Sequence, residues 1–155
     1  MNVQKITKTT KTAAFIERFR RWGIAHSLLP LVYGTSCCFE PISQEVLLEI
    51  SPAKNYPVEE SDLLIIGGSI TYKQLPFIKD IYERMPKEKW VMALGVCSLS
   101  GGPFQSYSVV KDLNEHIPVD IFVTGCPPTR ESLEQGVADL QKMIMNGQGA
   151  CFDRV

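Results

Sequence analysis

The chain has 155 residues, 45% hydrophobic and 21% charged, with a formal net charge of −1. That size and balance fit one globular domain and exclude the strongly basic surface of a nucleic-acid binder. The longest apolar runs, Leu28–Tyr33 and Leu63–Ile66, fall far short of the roughly 18 residues that span a bilayer.

In chain order, residues 1–12 are Thr- and Lys-rich and are expected to form a mobile N-terminal tail, with residues 13–155 as a single domain. No apolar core of a secretory signal stands in Met1–Lys8, which predicts a reducing compartment. Ala13–Trp22 reads as a short basic amphipathic helix: Phe15, Phe19 and Trp22 share one face, and Glu17, Arg18, Arg20 and Arg21 line the rest. Such a helix is either a surface element with a solvated charged face or a docking element for a partner subunit or a membrane surface. The apolar Leu28–Tyr33 stretch leads into Gly34-Thr35-Ser36-Cys37-Cys38-Phe39-Glu40-Pro41. Gln44–Ile50 is apolar and ambiguous between helix and strand.

A rhythm then begins. Asp62–Gly68 reads as a buried strand ending in glycines, Pro76–Met85 as a helix with proline at its start, and Trp90–Gly95 as a second strand. Ser106–Asn114 reads as a short helix, Val119–Gly125 as a third strand, and Arg130–Met145 as a long helix with Leu133, Val137, Leu140 and Ile144 at helical spacing. From Asn146 onward the chain is polar and is expected on the surface. Strands alternating with helices predict an α/β fold, a doubly wound parallel sheet of flavodoxin-like type covered on both faces.

Four of the five cysteines stand in turns marked by glycine or proline: Cys37-Cys38, Gly95-Val96-Cys97 and Gly125-Cys126-Pro127-Pro128. Cys97 and Cys126 follow predicted strands, and ligands of open parallel sheets bind outside the carboxyl ends of strands. Neighbouring side chains in an extended segment point apart, so an adjacent pair suits a polynuclear iron–sulfur cluster better than one small ion. A structural zinc site prefers Cys-x₂₋₄-Cys pairs; it and plain packing are the alternatives. Cys151, outside any motif, reads as packing. Gly67-Gly68-Ser69 reads as a tight turn rather than a phosphate cradle, and His26 and His116 as structural or surface histidines.

Those segments resemble the complex I subunit of NuoB/PSST type, which is related to the small subunits of [NiFe] hydrogenases. The resemblance runs from about Ser27 to Ile144. It rests on Ser27–Gly34 leading into the cysteine pair, on Gly95-Val96-Cys97-Ser98 with Gly101-Gly102, and on Ile117–Val123 followed by Gly125-Cys126-Pro127-Pro128-Thr129. It implies that Cys37, Cys38, Cys97 and Cys126 ligate one [4Fe–4S] cluster, at the carboxyl ends of the strands. It also implies an electron-transfer subunit without turnover of its own, in the peripheral arm of an ion-translocating, NADH:quinone oxidoreductase-like complex. Its implied partners are a large catalytic subunit, a ferredoxin-like iron–sulfur subunit and membrane subunits, with a quinone as acceptor, at the cytoplasmic face of the membrane. Adjacent cysteines favour this branch over the hydrogenase branch, which usually carries Cys-x-x-Cys. Glu40 stands two residues after Cys38 and is followed by Pro41, whereas the quinone-type pattern has glutamate three residues after, followed by methionines. The alternative readings are the proximal-cluster subunit of a membrane-bound hydrogenase or sulfur-reducing homologue, and a stand-alone iron–sulfur or zinc module.

Overall fold

A computed structural model describes residues 14, 16, 18–39 and 56–148. The N-terminal tail, Glu40, Pro41, the Gln44–Ile50 stretch, Cys151 and the far C-terminus lie outside the described residues. Four parallel strands form one sheet in the order β1-β2-β3-β4: β1 is Pro30–Gly34, β2 Leu63–Gly67, β3 Trp90–Leu94 and β4 Ile121–Val123. The apolar Leu28–Tyr33 stretch thus supplies a strand of its own. Residues 18–25 are helical (α1), followed by α2 at Leu75–Arg84, α3 at Val96–Ser100 and α4 at Arg130–Asn146.

Both faces of the sheet are covered, because the strands alternate. Leu63, Ile65, Trp90, Met92, Leu94 and Val123 pack with Ala25 and Leu28, and with Leu133, Val137, Leu140 and Ile144 of α4. Leu64, Ile66, Val91 and Ala93 pack on the other side, with Leu75 and Ile78 of α2 and with Val110, Leu113 and Ile117. The crossovers that follow β2 and β3 line one face, and the two ends of the described chain line the other. Burial of such side chains contributes about 1.5–3 kcal/mol each, and β2 and β3 are buried along their whole length. This is the continuous apolar run expected of strands covered twice.

The helix signals behave as expected at α2 and α4. Pro76 sits in the first turn of α2, and Thr129 caps α4 by accepting from the Ser132 amide. One expectation is corrected. Ser106–Asn114 is not a helix: Val109 bridges Thr71 in antiparallel fashion, the Val110 amide donates to the Ile70 carbonyl, and only Leu113–Glu115 forms a 3₁₀ turn. In α1, Phe19 and Trp22 stack on each other and stay exposed, while Ala25 enters the core.

Candidate metal centre at the carboxyl edge of the sheet

The register puts Gly34, Gly67, Leu94 and Val123 in one row across the sheet, so the four strands end level. Counting on from that row, Cys37, Cys97 and Cys126 each stand three residues beyond their own strand end, and Cys38 follows Cys37. Backbone hydrogen bonds continue past the row and lace the loops together. The Thr35 amide donates to the Gly67 carbonyl (2.9 Å), Gly68 to Leu94 (3.4 Å), Gly95 to Val123 (2.8 Å) and Val96 to Gly125 (3.0 Å).

The cysteine pair does not lie in an extended segment. Ser36–Phe39 forms a 3₁₀ turn entered through Ser36 at φ 60°. Cys38 is buried there and Cys37 exposed, with the two thiols close enough to interact. Cys97 lies in the first turn of α3, a segment that reads as a loop in the sequence, and is buried. Cys126 is exposed in the turn after β4. None of the four is in a disulfide.

Glycine makes this close approach possible at two of them. A Cβ on Gly95 would stand 2.4 Å from the Cys38 sulfur, and one on Gly102 would stand 2.8 Å from the Cys97 sulfur, both inside contact distance. Burial pushes the Cys38 thiol up to about 11, aided by Cys37 and Cys97 beside it, while the Gly68 amide donates to its sulfur and opposes the rise. Burial also raises Cys97, followed by the influence of Cys126 and Cys37. Each of the four cysteines therefore lies within electrostatic range of another. Among the described residues, no three His, Cys, Asp or Glu side chains come close enough to hold a single metal ion.

The histidines stand apart from this edge in role. His26 Nδ1 bonds the Trp22 carbonyl at 2.8 Å, and His116 meets Tyr72 edge-on. Gly67-Gly68-Ser69 is a tight turn after β2, and it touches the candidate site because Gly67 packs on Cys38. Thr35 is a residue that sequence reasoning missed. Its hydroxyl donates to the Gly67 and Ser69 carbonyls at 3.3 and 2.9 Å, and no local motif marks that pairing. No helix among the described residues is long and apolar enough to cross a membrane.

Comparison with known proteins bears on the family and the fold. An NADH-quinone oxidoreductase subunit from Campylobacter fetus subsp. fetus (strain 82-40) is 31% identical over 152 residues, covering 94% of this chain and 90% of the relative. The corresponding subunit from Citrifermentans bemidjiense is 38% identical over 136 residues, covering 81% and 76%. Among solved structures, a chain of the membrane-bound sulfane sulfur reductase, an archaeal respiratory membrane complex, superposes with a TM-score of 0.71 at 30% identity, covering 84% of this chain and 77% of that one. A chain of an NAD+-reducing [NiFe]-hydrogenase shares the fold, with a TM-score of 0.52 at 16% identity, covering 75% and 92%. The family model for the NADH ubiquinone oxidoreductase 20 kDa subunit matches residues 24–140. With three quarters of its length matched by that model, the chain belongs to the NADH ubiquinone oxidoreductase 20 kDa subunit family.

Proposed function

We propose that Cys37, Cys38, Cys97 and Cys126 hold one [4Fe–4S] cluster, through which this oxidoreductase subunit passes electrons to an acceptor at its interface with a larger catalytic subunit. The observation that carries the reading is the level row of strand ends with cysteines three residues beyond three of them. The donor set suits the group. Four thiols outside any disulfide gather at one edge, and glycines keep side chains off two of the sulfurs. Such a cluster, when bound, supplies a one-electron store whose potential follows hydrogen bonds to sulfur, burial and charge. The chain's own residues divide the remaining work. Cys38 and Cys97 anchor the buried side, and Cys37 and Cys126 stand on the side open to a partner. One edge of a domain this size cannot enclose a cluster, so a partner surface has to complete the shield.

Replacing Cys97 or Cys126 by serine in the assembled complex should lower iron and acid-labile sulfide per complex and remove one reduced-cluster EPR signal. Full iron content with that signal intact in either variant overturns the Cys₄ assignment.

The relatives' names favour a quinone as acceptor; the proposal adds a ferredoxin-like subunit as donor, membrane subunits as further partners and a peripheral position at the cytoplasmic membrane face. The 30% identity to the sulfane sulfur reductase chain favours a second reading, a sulfur compound as acceptor. The large subunit's sequence separates both readings from a hydrogenase. Two intact Cys-x-x-Cys pairs there indicate a nickel–iron centre, and their loss indicates quinone or sulfur chemistry.

A further inference from the structure

Thr35 lies two residues before the cysteine pair, and it governs a peptide that reaches one of the thiols. Both its amide (2.9 Å) and its hydroxyl (3.3 Å) donate to the Gly67 carbonyl, and the hydroxyl also donates to the Ser69 carbonyl (2.9 Å). The Gly67 carbonyl and the Gly68 N–H belong to one planar trans peptide and point in opposite directions. Holding the carbonyl toward Thr35 therefore aims the Gly68 N–H the other way. On that side lie the Leu94 carbonyl, at a long 3.4 Å, and the Cys38 sulfur, which a Cβ on the neighbouring Gly95 would meet at 2.4 Å and whose thiol the Gly68 N–H draws downward in pKa.

The arrangement is tight. Gly68 has φ +89°, and a Cβ there would stand 1.8 Å from the Thr35 carbonyl oxygen. No other residue fits without moving the turn, so the position of the N–H is tied to Thr35 by sterics as well as by hydrogen bonds. The bond to Leu94 is long enough to leave the Gly68 N–H able to serve sulfur.

We propose that Thr35 is a positioning residue for the cluster: by clamping the Gly67 and Ser69 carbonyls, it aims the Gly68 N–H at the Cys38 sulfur and thereby sets the reduction potential. This rests on the reading of Cys38 as a cluster ligand. A hydrogen bond to a ligating sulfur withdraws electron density and favours the more negative, reduced cluster. Releasing the peptide should therefore lower the potential.

The test is an EPR-monitored redox titration of the assembled complex carrying T35V, T35A or T35S, following the signal that Cys97→Ser removes. T35V keeps the shape and loses the hydroxyl, T35A also loses bulk, and T35S keeps the hydroxyl. The expected result is a full cluster in T35V with its potential lowered about tenfold in the oxidised-to-reduced ratio, about 59 mV for a one-electron couple, and a wild-type potential in T35S. An unchanged potential in a cluster-bearing T35V or T35A overturns the proposal, and so does a T35S shift equal to that of T35V. Should neither hydroxyl-free variant keep its cluster, pulsed EPR of the wild-type complex grown on ¹⁵N-glycine decides. A glycine-nitrogen coupling to the reduced cluster supports the role, and its absence overturns it. Failure of the underlying reading looks different, because the wild-type complex would then carry no signal sensitive to Cys97→Ser.

Discussion

The two edges of this sheet solve the same problem in opposite ways. At the amino edge, aspartates close the backbone. The Asp62 amide donates to the Leu29 carbonyl, and its carboxylate accepts from the Leu29 amide at 2.6 Å. The Asp120 amide donates to the Val91 carbonyl, and its carboxylate accepts from the Val91 amide at 2.8 Å. The same two-bond clip thus joins β1 to β2 and β3 to β4. At the carboxyl edge the lacing bonds run from amide to carbonyl, with the Thr35 and Ser98 hydroxyls as side-chain additions. On the proposed function, the cysteine side chains there are left to a cluster. Side chains consumed by the fold at one end are reserved for chemistry at the other.

The largest effect that would sharpen this contrast is at Gly95. Alanine there brings a Cβ to 2.4 Å from the Cys38 sulfur, on a backbone at φ +84° that L-residues rarely adopt. Strain and overpacking together should destabilise the domain by about 3 kcal/mol. Cluster content should fall as well, because Cys38 has to move. Thermal unfolding and iron per chain check both. A G95A protein with normal stability and full iron would show that the carboxyl edge is more yielding than its geometry implies.

A smaller loss is expected at the opposite edge. Asp120→Ala removes the acceptor of the Val91 amide, and Val91 is buried. An orphaned buried N–H costs about 1–3 kcal/mol. Chemical unfolding should show that loss with an unchanged m-value, while the cluster's EPR signal and potential stay as in the wild type. A changed potential would break the division of labour between the edges.

Most of this architecture was legible in the sequence, but by different routes. β2 and β3 are continuous apolar runs bounded by glycine, and α4 has apolar residues at helical spacing after a capping threonine, so local pattern sufficed. The cysteine turns were marked by glycine and proline. Three features were not legible, each for a physical reason. Val109 and Val110 belong to a ribbon whose partners, Ile70 and Thr71, lie far back in the chain. The five-residue α3 is too short for periodicity to show. Thr35 acts through carbonyls that only the parallel register brings beside it. Residues that work through a neighbouring strand leave no periodic trace in their own.

The smallest predicted effect lies in the Asp62 clip. Burial raises the Asp62 carboxyl to about 6, and the bond from the Leu29 amide only partly opposes it. The unfolded chain carries it at 3.8. Between those values the folded state binds more protons than the unfolded one, so stability falls as pH rises. The benefit of a neutral group is fully present in the wild type below about pH 4 and lost above about pH 6. Asp62→Asn keeps an acceptor for Leu29 and never ionises. After discounting for partial exposure, it should be more stable than the wild type by about 1 kcal/mol at pH 7. The two should converge near pH 4. Unfolding measured at both pH values checks the sign, and a variant less stable at pH 7 would mean that the charged hydrogen bond to the Leu29 amide outweighs the burial penalty.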